Sequence, residues 1–555
     1  MDAYSVSYTS PSRRNSSRIY QDLKTIRLQS IVQLEPEHFI RSLKFLQETG
    51  DISPLDSGEK PHVGVIGAGL SGLRCADLLL QYGFHVTILE GRDRVGGRLH
   101  QEHLPNGHLI DVGANWIHGT SSNPILDLAK RTKTAIGSWD TKPYIYDEDG
   151  ELFPIEDGED YSEIMWSIIL EAFKHSEKHC QDISPEESLL DFFHSRINTV
   201  VPDTQPNYQR TREIVMHMAE LWGAFVGSPI SRQSLKFFWL EECLEGAENL
   251  FCAGTYRKIL QEAARPAVEG ATIKFSTKIT RIHGRSVDGK KVKLESSDGQ
   301  TFDFDEVVVT TPLGWLKQNL DVFNPPLPER LARGIQSIGY GCLEKVYITF
   351  PEAFWTEPIA EGRVVQGFCQ WLAPKYAVGL NPRRWTHEVV ELASLTPATS
   401  HPTLLFYIYG DESEQITSAV QGMGTKEKHE FLCTLFKPYY SRLPHFQKDK
   451  PKCQPTGSFT TDWLHDDLAG NGSYSNFQVG LTEGDKDIRV IREGVPSEGI
   501  WLAGEHTAPF VALGTVTGAY WSGESVGRRI AEAYGKSKGM VADTSTVQME
   551  GSDCL

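Results

Sequence analysis

Three glycines and an acid set the first chemical expectation. Gly67-Ala68-Gly69-Leu70-Ser71-Gly72 matches G-x-G-x-x-G, and Glu90 follows 18 residues after Gly72. In that spacing the first glycine allows a tight turn, the second lets a pyrophosphate approach the backbone, and the third lets a helix pack on a strand. An acid closing the next strand binds a ribose hydroxyl, so the pattern predicts an adenine dinucleotide with its anion at a helix N-terminus. Lys345 stands in YGCLEKVYITF, where strand alternation places its ammonium with Leu343 and Tyr347, opposite Glu344 and Val346. Four acids, Glu241, Glu242, Glu245 and Glu248, fall at spacings that could share one helix face. Their plainer reading is a solvated acidic helix; the other is an anionic register for a polycation. Nine cysteines form an odd set with no C-x-x-C pair, which predicts reduced thiols and no metal site.

These residues need elements to hold them. HVGVIGAG (62–69) reads as a strand closed by glycines, Leu70 to Tyr82 as a helix stopped by Gly83, and HVTILE (85–90) as a parallel strand, together a βαβ unit. Residues 136–250 carry long amphipathic stretches and little strand signal, predicting a helical block. Strands resume over 271–311 with Asp-Gly turns at 288–289 and 298–299, and again from about 340. The last region, 499–534, is a strand, a glycine-rich loop and a helix. The expected fold is α/β, α+β overall: a Rossmann-like nucleotide-binding domain in three segments (60–135, 250–335, 455–535) with a helix-plus-sheet domain interleaved (136–249, 336–454). Residues 1–59 read as an extension with one short helix around Phe39 to Leu46, and 536–555 as a polar tail.

Composition narrows the classes. The chain has 555 residues, with 55 Lys+Arg against 73 Asp+Glu, a formal charge of −18. That balance makes nucleic acid a poor partner and favours drawing in a cation. No apolar run approaches a membrane span, and neither a secretory leader nor an S-K-L ending is read, so the expectation is a soluble cytoplasmic protein.

Beyond Glu90 the chain continues GRDRVGGR, and further strings follow: DVGANWIHG (111–119), Thr311-Pro312-Leu313-Gly314, EKVYITF around Lys345, Asn471-Gly472-Ser473-Tyr474-Ser475, and LAGEHT to GTVTGAYWSG (502–523). In these motifs and their order the sequence resembles the flavin-containing amine oxidases, closest in pattern to polyamine oxidases, over about 85% of the chain. The resemblance implies FAD, with Gly67, Gly69, Gly72, Glu90, Arg98, Ile279, Glu505, Thr515 and Val516 binding it. It implies that Lys345 holds a water against flavin N5, that His118 faces the substrate tunnel, and that Tyr474 faces the flavin. Trp463 is a further candidate for the flavin pocket.

Departures refine that picture. Ser473 stands where monoamine oxidases carry the cysteine that holds flavin covalently, so FAD should be non-covalent. Thr515 stands where they carry a second tyrosine. Thr517 replaces a histidine common in polyamine oxidases, which leaves the substrate open. The implied reaction is hydride transfer from the amine α-carbon to flavin N5, imine hydrolysis, and reoxidation by O2 to hydrogen peroxide. An L-amino-acid oxidase would need an arginine for the carboxylate, and the sequence does not place Arg257, Arg363 or Arg383 in the pocket, so that alternative stays open. A histone lysine demethylase would need a larger N-terminal module and a helical hairpin, and a non-catalytic interaction protein would be expected to lose the flavin-side residues. Neither the C–N bond cleaved nor the oligomeric state is legible.

Overall fold

The computed structural model describes residues 60–139, 143–241, 249–285, 291–359 and 362–536. The extension, the tail from 537, Glu242, Glu245, Glu248 and the 288–289 turn lie outside the described residues.

A five-stranded parallel sheet forms the first body, in the order Ile500–Leu502, Glu306–Val309, His62–Ile66, His85–Leu89, Thr272–Lys274. Its strands are short and almost wholly apolar because both faces are covered. Val63 and Val65 point to one side, where Leu73, Leu79, Val526 and Ile530 of two helices pack. Ile66, Val307 and Val309 point to the other, against Leu313, Ile335 and Ile488. The two helices, Leu70–Gln81 and Val516–Ala533, run close together: a Cβ on Gly523 would lie 2.1 Å from the Ser71 carbonyl oxygen. A four-stranded sheet built from Ile279–His283, Val292–Ser296, Thr301–Phe304 and Phe323–Asn324 flanks this body. Its hairpin turns at Asp298-Gly299, where Gly299 adopts φ +81°.

A six-stranded sheet forms the second body, in the order Gly457–Thr460, Leu343–Thr349, Thr403–Tyr409, His387–Glu391, Phe368–Trp371, Tyr144–Tyr146. Alternation sorts its residues cleanly. Val346, Ile348, Leu404 and Phe406 pack under the helices Gly410–Val420 and Thr425–Tyr440. Tyr347, Leu405 and Tyr407 face the other way, toward Val112 and Trp463. The helices Ile155–His179, Leu189–Val200 and Tyr208–Ala219 bury their own apolar cluster beside it. The second of them is opened by Ser188 and Asp191, whose side chains each take the other's backbone N–H.

The structure departs from the sequence reading in three places. Tyr144–Tyr146 lies inside the block expected to be helical, yet all three residues are buried and pair in parallel with Phe368–Trp371. An aromatic, β-branched triplet suits a pleated edge, and it ties the helical block to the sheet. Gly457–Thr460, within the stretch assigned to the third nucleotide-binding segment, pairs instead with Leu343–Thr349. The helices Gly410–Val420 and Thr425–Tyr440 fall in the stretch that the sequence assigns to sheet, because their mixed composition carries no strong 3.6-residue period.

Candidate active site

One cavity of about 430 Å³ runs between the two bodies, within the usual range for small-molecule sites. Its wall includes Gly67, Gly69, Ser71, Glu90 and Ile279, Arg98, Glu505, Thr515 and Val516, and Lys345, His118, Trp463 and Tyr474. Of the glycines in the motif, Gly67 turns the chain with φ +102°. Gly72 does not line the cavity. It sits below, where a Cβ would fall 2.1 Å from the Gly67 carbonyl oxygen, so it allows helix and strand to approach.

The wall around the glycine turn suits a dinucleotide. The N-termini of both crossing helices face the cavity, the first with no side-chain cap at Gly69 and the last capped by Thr515, whose hydroxyl accepts from the Gly518 N–H at 2.9 Å. Unsatisfied N–H groups there favour an anion. The Ser71 and Thr311 hydroxyls, both in the wall, are buried with no partner among the described residues, which is the condition of groups awaiting a polar ligand. Glu90 closes its strand with one carboxylate oxygen accepting from the Ala68 N–H (2.6 Å) and the other from the Arg92 N–H (2.8 Å). These backbone bonds aim the acid at the turn, where a ribose would lie.

Arg98 and Glu505 form an ion pair in the wall. The guanidinium donates to the Ser473 carbonyl (2.6 Å), to Tyr340 Oη (3.2 Å) and to Glu505 Oε1 (3.1 Å). Burial works against the Arg98 charge, but the Tyr340 and Glu505 oxygens outweigh it and raise its pKa. Burial likewise works to raise Glu505; Arg98 above all leaves it below the ordinary carboxylate value. The pair is thus ionised, and the Ser475 N–H and hydroxyl donate to the same carboxylate. Ser473 Oγ accepts from the Leu343 N–H at 3.1 Å.

Lys345 reaches the cavity from the face of its strand that sequence alternation predicted. Its ammonium donates to the carbonyls of Asp111 (3.3 Å) and Gly113, and the Tyr347 hydroxyl donates to the Asp111 carbonyl at 2.7 Å. Burial lowers the Lys345 pKa well below the usual lysine range, resisted by Asp111 and Glu344; burial raises Asp111 in turn, resisted by the Gln101 amide and Lys345. Trp463 Nε1 donates to the Val112 carbonyl at 3.1 Å. His118 is half-buried in the wall, and its Nδ1 donates to Asn249 Oδ1 at 3.1 Å, which leaves Nε2 as the acceptor. Desolvation lowers its pKa, so the ring is neutral. The Tyr474 hydroxyl donates to the Phe225 carbonyl, fixing the ring against Gly514. Thr517 is not in the wall; it is buried and donates to Asn123 Oδ1 at 3.0 Å, joining the last helix to the loop that follows His118.

Several wall residues escaped sequence reading. Trp166, Phe173, Trp222 and Phe225 form an aromatic alcove at the open end, with Trp222 stacked on Phe225 at 5.4 Å and edge-on to Phe173 at 5.9 Å. Trp166 and Phe225 remain 40% and 41% exposed, as residues at a mouth do. Glu241 corrects the solvated-helix reading. It closes the 3-10 turn Phe238–Glu241, lines the cavity, and accepts from the Gln233 amide (2.9 Å) and the Phe477 N–H (3.1 Å). Burial, aided by Glu505 and opposed by those two donors, pushes its pKa up to about 7. None of Arg257, Arg363 and Arg383 lines the cavity; Arg383 pairs with Asp411 at 2.6 Å. The wall arginines, Arg92 and Arg98, are engaged with Asp466 and Glu505.

Comparison with known proteins identifies the family. The family described as flavin containing amine oxidoreductase matches residues 70–531. Among relatives, the chain is 28% identical to "Probable polyamine oxidase 4" of Arabidopsis thaliana over 86% of its own length and 88% of that protein. It is 27% identical to "Polyamine oxidase 2" of the same plant over 86% and 90%. With "Lysine-specific histone demethylase 1 homolog 2" of Oryza sativa subsp. japonica it shares 27% over 80% of itself but 53% of that chain.

Proposed function

The chain belongs to the flavin containing amine oxidoreductase family and is a flavin-dependent amine oxidase; on that premise we propose that it is a polyamine oxidase. FAD is its cofactor, held without a covalent bond. When bound, FAD supplies the acceptor for a hydride from the carbon beside the amine nitrogen and passes the electrons to O2, giving hydrogen peroxide. We assign its dinucleotide part to the two helix N-termini with Ser71, Glu90 and Ile279, and its flavin side to Arg98, Glu505, Thr515 and Val516.

The chain's own residues then have separate tasks. Trp463 and Tyr474 flank the reacting end and exclude bulk water. Lys345, with two N–H groups engaged by carbonyls, turns its remaining valence to a water at the place where the imine is hydrolysed. Its lowered pKa lets it exchange a proton with that water near neutral pH. Neutral His118, with Nε2 as acceptor, takes a proton from the incoming ammonium and leaves the uncharged amine that oxidation requires.

The observation that carries the substrate class is the alcove: aromatic faces attract an alkylammonium, and Glu241 supplies the anion for a second one. An amino-acid substrate would call for a carboxylate-binding arginine, and the wall arginines already carry carboxylate partners. A peroxide-release assay over polyamines, acetylated polyamines, monoamines, L-amino acids and methyl-lysine peptide tests the reading. The expected outcome is turnover of polyamines with kcat/KM at least about tenfold above monoamines, the margin of about 1.4 kcal/mol in transition-state binding. Turnover confined to L-amino acids or methyl-lysine peptide would overturn it.

A further inference from the structure

Glu344 is the residue beside Lys345 and points to the opposite face of the same strand. It is fully buried, at 0% exposure. Its carboxylate accepts from the Thr461 hydroxyl at one oxygen and from the Leu464 N–H (2.9 Å) at the other. The Thr461 hydroxyl in turn accepts from the Lys345 N–H at 2.8 Å, and the Thr461 N–H donates to the Lys345 carbonyl at 3.0 Å. The segment 461–464 is therefore fastened to the Lys345 strand through both backbone and side chain, and Trp463 rides on it. Across the cavity wall the pattern repeats on one short segment. Lys345 holds the carbonyls of Asp111 and Gly113, while Trp463 holds the carbonyl of Val112 between them. Lysine and indole thus grip three successive carbonyls, and Glu344 is the tie that sets the distance between the two grips.

We infer that Glu344 is a positioning residue, fixing Lys345 and Trp463 relative to each other and so to the reacting end of the cavity. A carboxylate suits the post because each of its oxygens accepts; the amide of Gln accepts at one atom only, so either the Leu464 N–H loses its acceptor or the Thr461 O–H loses its acceptor and Thr461 can only accept from the NH2. Burial raises the Glu344 pKa to about 7, opposed by the Thr461 hydroxyl and the Leu464 N–H; the other ionisable groups acting near it are Asp462, Cys342 and Lys345, which Asp111 faces in turn. The inference rests on the reading of Lys345 and Trp463 as residues of the amine-oxidising site.

The test uses the full-length holoenzyme with Glu344→Gln, Thr461→Val and Thr461→Ser. Bound FAD is read by absorbance, and anaerobic single-turnover reduction by the best amine is followed across pH. A third readout is independent of turnover: the 19F resonance of Trp463 in 5-fluorotryptophan protein, assigned by its loss in Trp463→Phe. Glu344→Gln is expected to retain FAD, slow reduction about tenfold, displace the Trp463 resonance, and shift the Lys345 limb of the pH profile to lower pH, because Glu344 in its ionised form raises the Lys345 pKa. Thr461→Val should do the first three, and Thr461→Ser should restore them. Wild-type reduction rate, profile and resonance in Glu344→Gln would overturn the inference. Should that variant fail to fold, equal behaviour of Thr461→Val and Thr461→Ser would overturn it. Absence of reduction of the wild-type protein by any amine would count against the amine reading instead, and the 19F shift would still decide the role of Glu344.

Discussion

Glu241 shows how a single side chain couples charge to burial. With its pKa pushed up to about 7, it gains its negative charge as pH rises through neutrality. Affinity for a non-oxidisable polyamine analogue should therefore strengthen from about pH 6 to about pH 8, since the ionised carboxylate is the form that pairs with an ammonium. Calorimetric titration across that range checks it. Glu241→Gln should flatten the dependence and weaken polyamine binding about tenfold, the scale of one charge-assisted hydrogen bond, while a monoamine changes less than about twofold. Sequence patterning misread this residue because it cannot distinguish an acidic stretch in water from one folded under a loop. What turns Glu241 inward is Gln233 and the N–H of Phe477, the latter 236 positions away. Lys345 was legible for the opposite reason: strand alternation is local, and it sorted Lys345 from Glu344 correctly.

At the scale of elements, the crossing of the helices Leu70–Gln81 and Val516–Ala533 holds the cofactor end together. The contact leaves no room for a side chain at Gly523, whereas a Cβ at Gly527 would meet Leu78 at 3.3 Å and the Cys75 carbonyl oxygen at 3.4 Å, so its neighbours need give only a few tenths of an ångström. Gly523→Ala should cost about 1–3 kcal/mol and weaken FAD binding, because the displaced turn carries Ser71. Gly527→Ala should cost less than half as much. Denaturant unfolding and FAD titration of both variants check the difference. The glycine turn and its helix could be read directly, since Gly67, Gly69 and Gly72 are close in sequence. The aromatic alcove could not. Trp166, Phe173, Trp222 and Phe225 lie on separate helical turns, and only the packing of those turns brings their faces to one opening.

For the whole molecule, the cavity draws its walls from residues between Ile66 and Ala519, so a ligand there bridges both bodies. FAD at about a hundredfold excess over its Kd should add about 2.7 kcal/mol to stability, seen as a rise in the melting temperature that depends on FAD concentration. Differential scanning fluorimetry of the stripped and reloaded protein measures it; a melting temperature indifferent to FAD would contradict that bridging. The same long-range construction governs how the chain is made. Strand Glu306–Val309 needs Ile500–Leu502 as its outer neighbour, and roughly 190 residues separate them. At about 5–20 residues per second on the ribosome, the apolar edge of Glu306–Val309 waits roughly 10–40 seconds for its partner to be synthesised. Until then the nascent chain presents an unpaired sheet edge, so its yield in cells should depend on chaperone protection during translation more than its final stability would suggest.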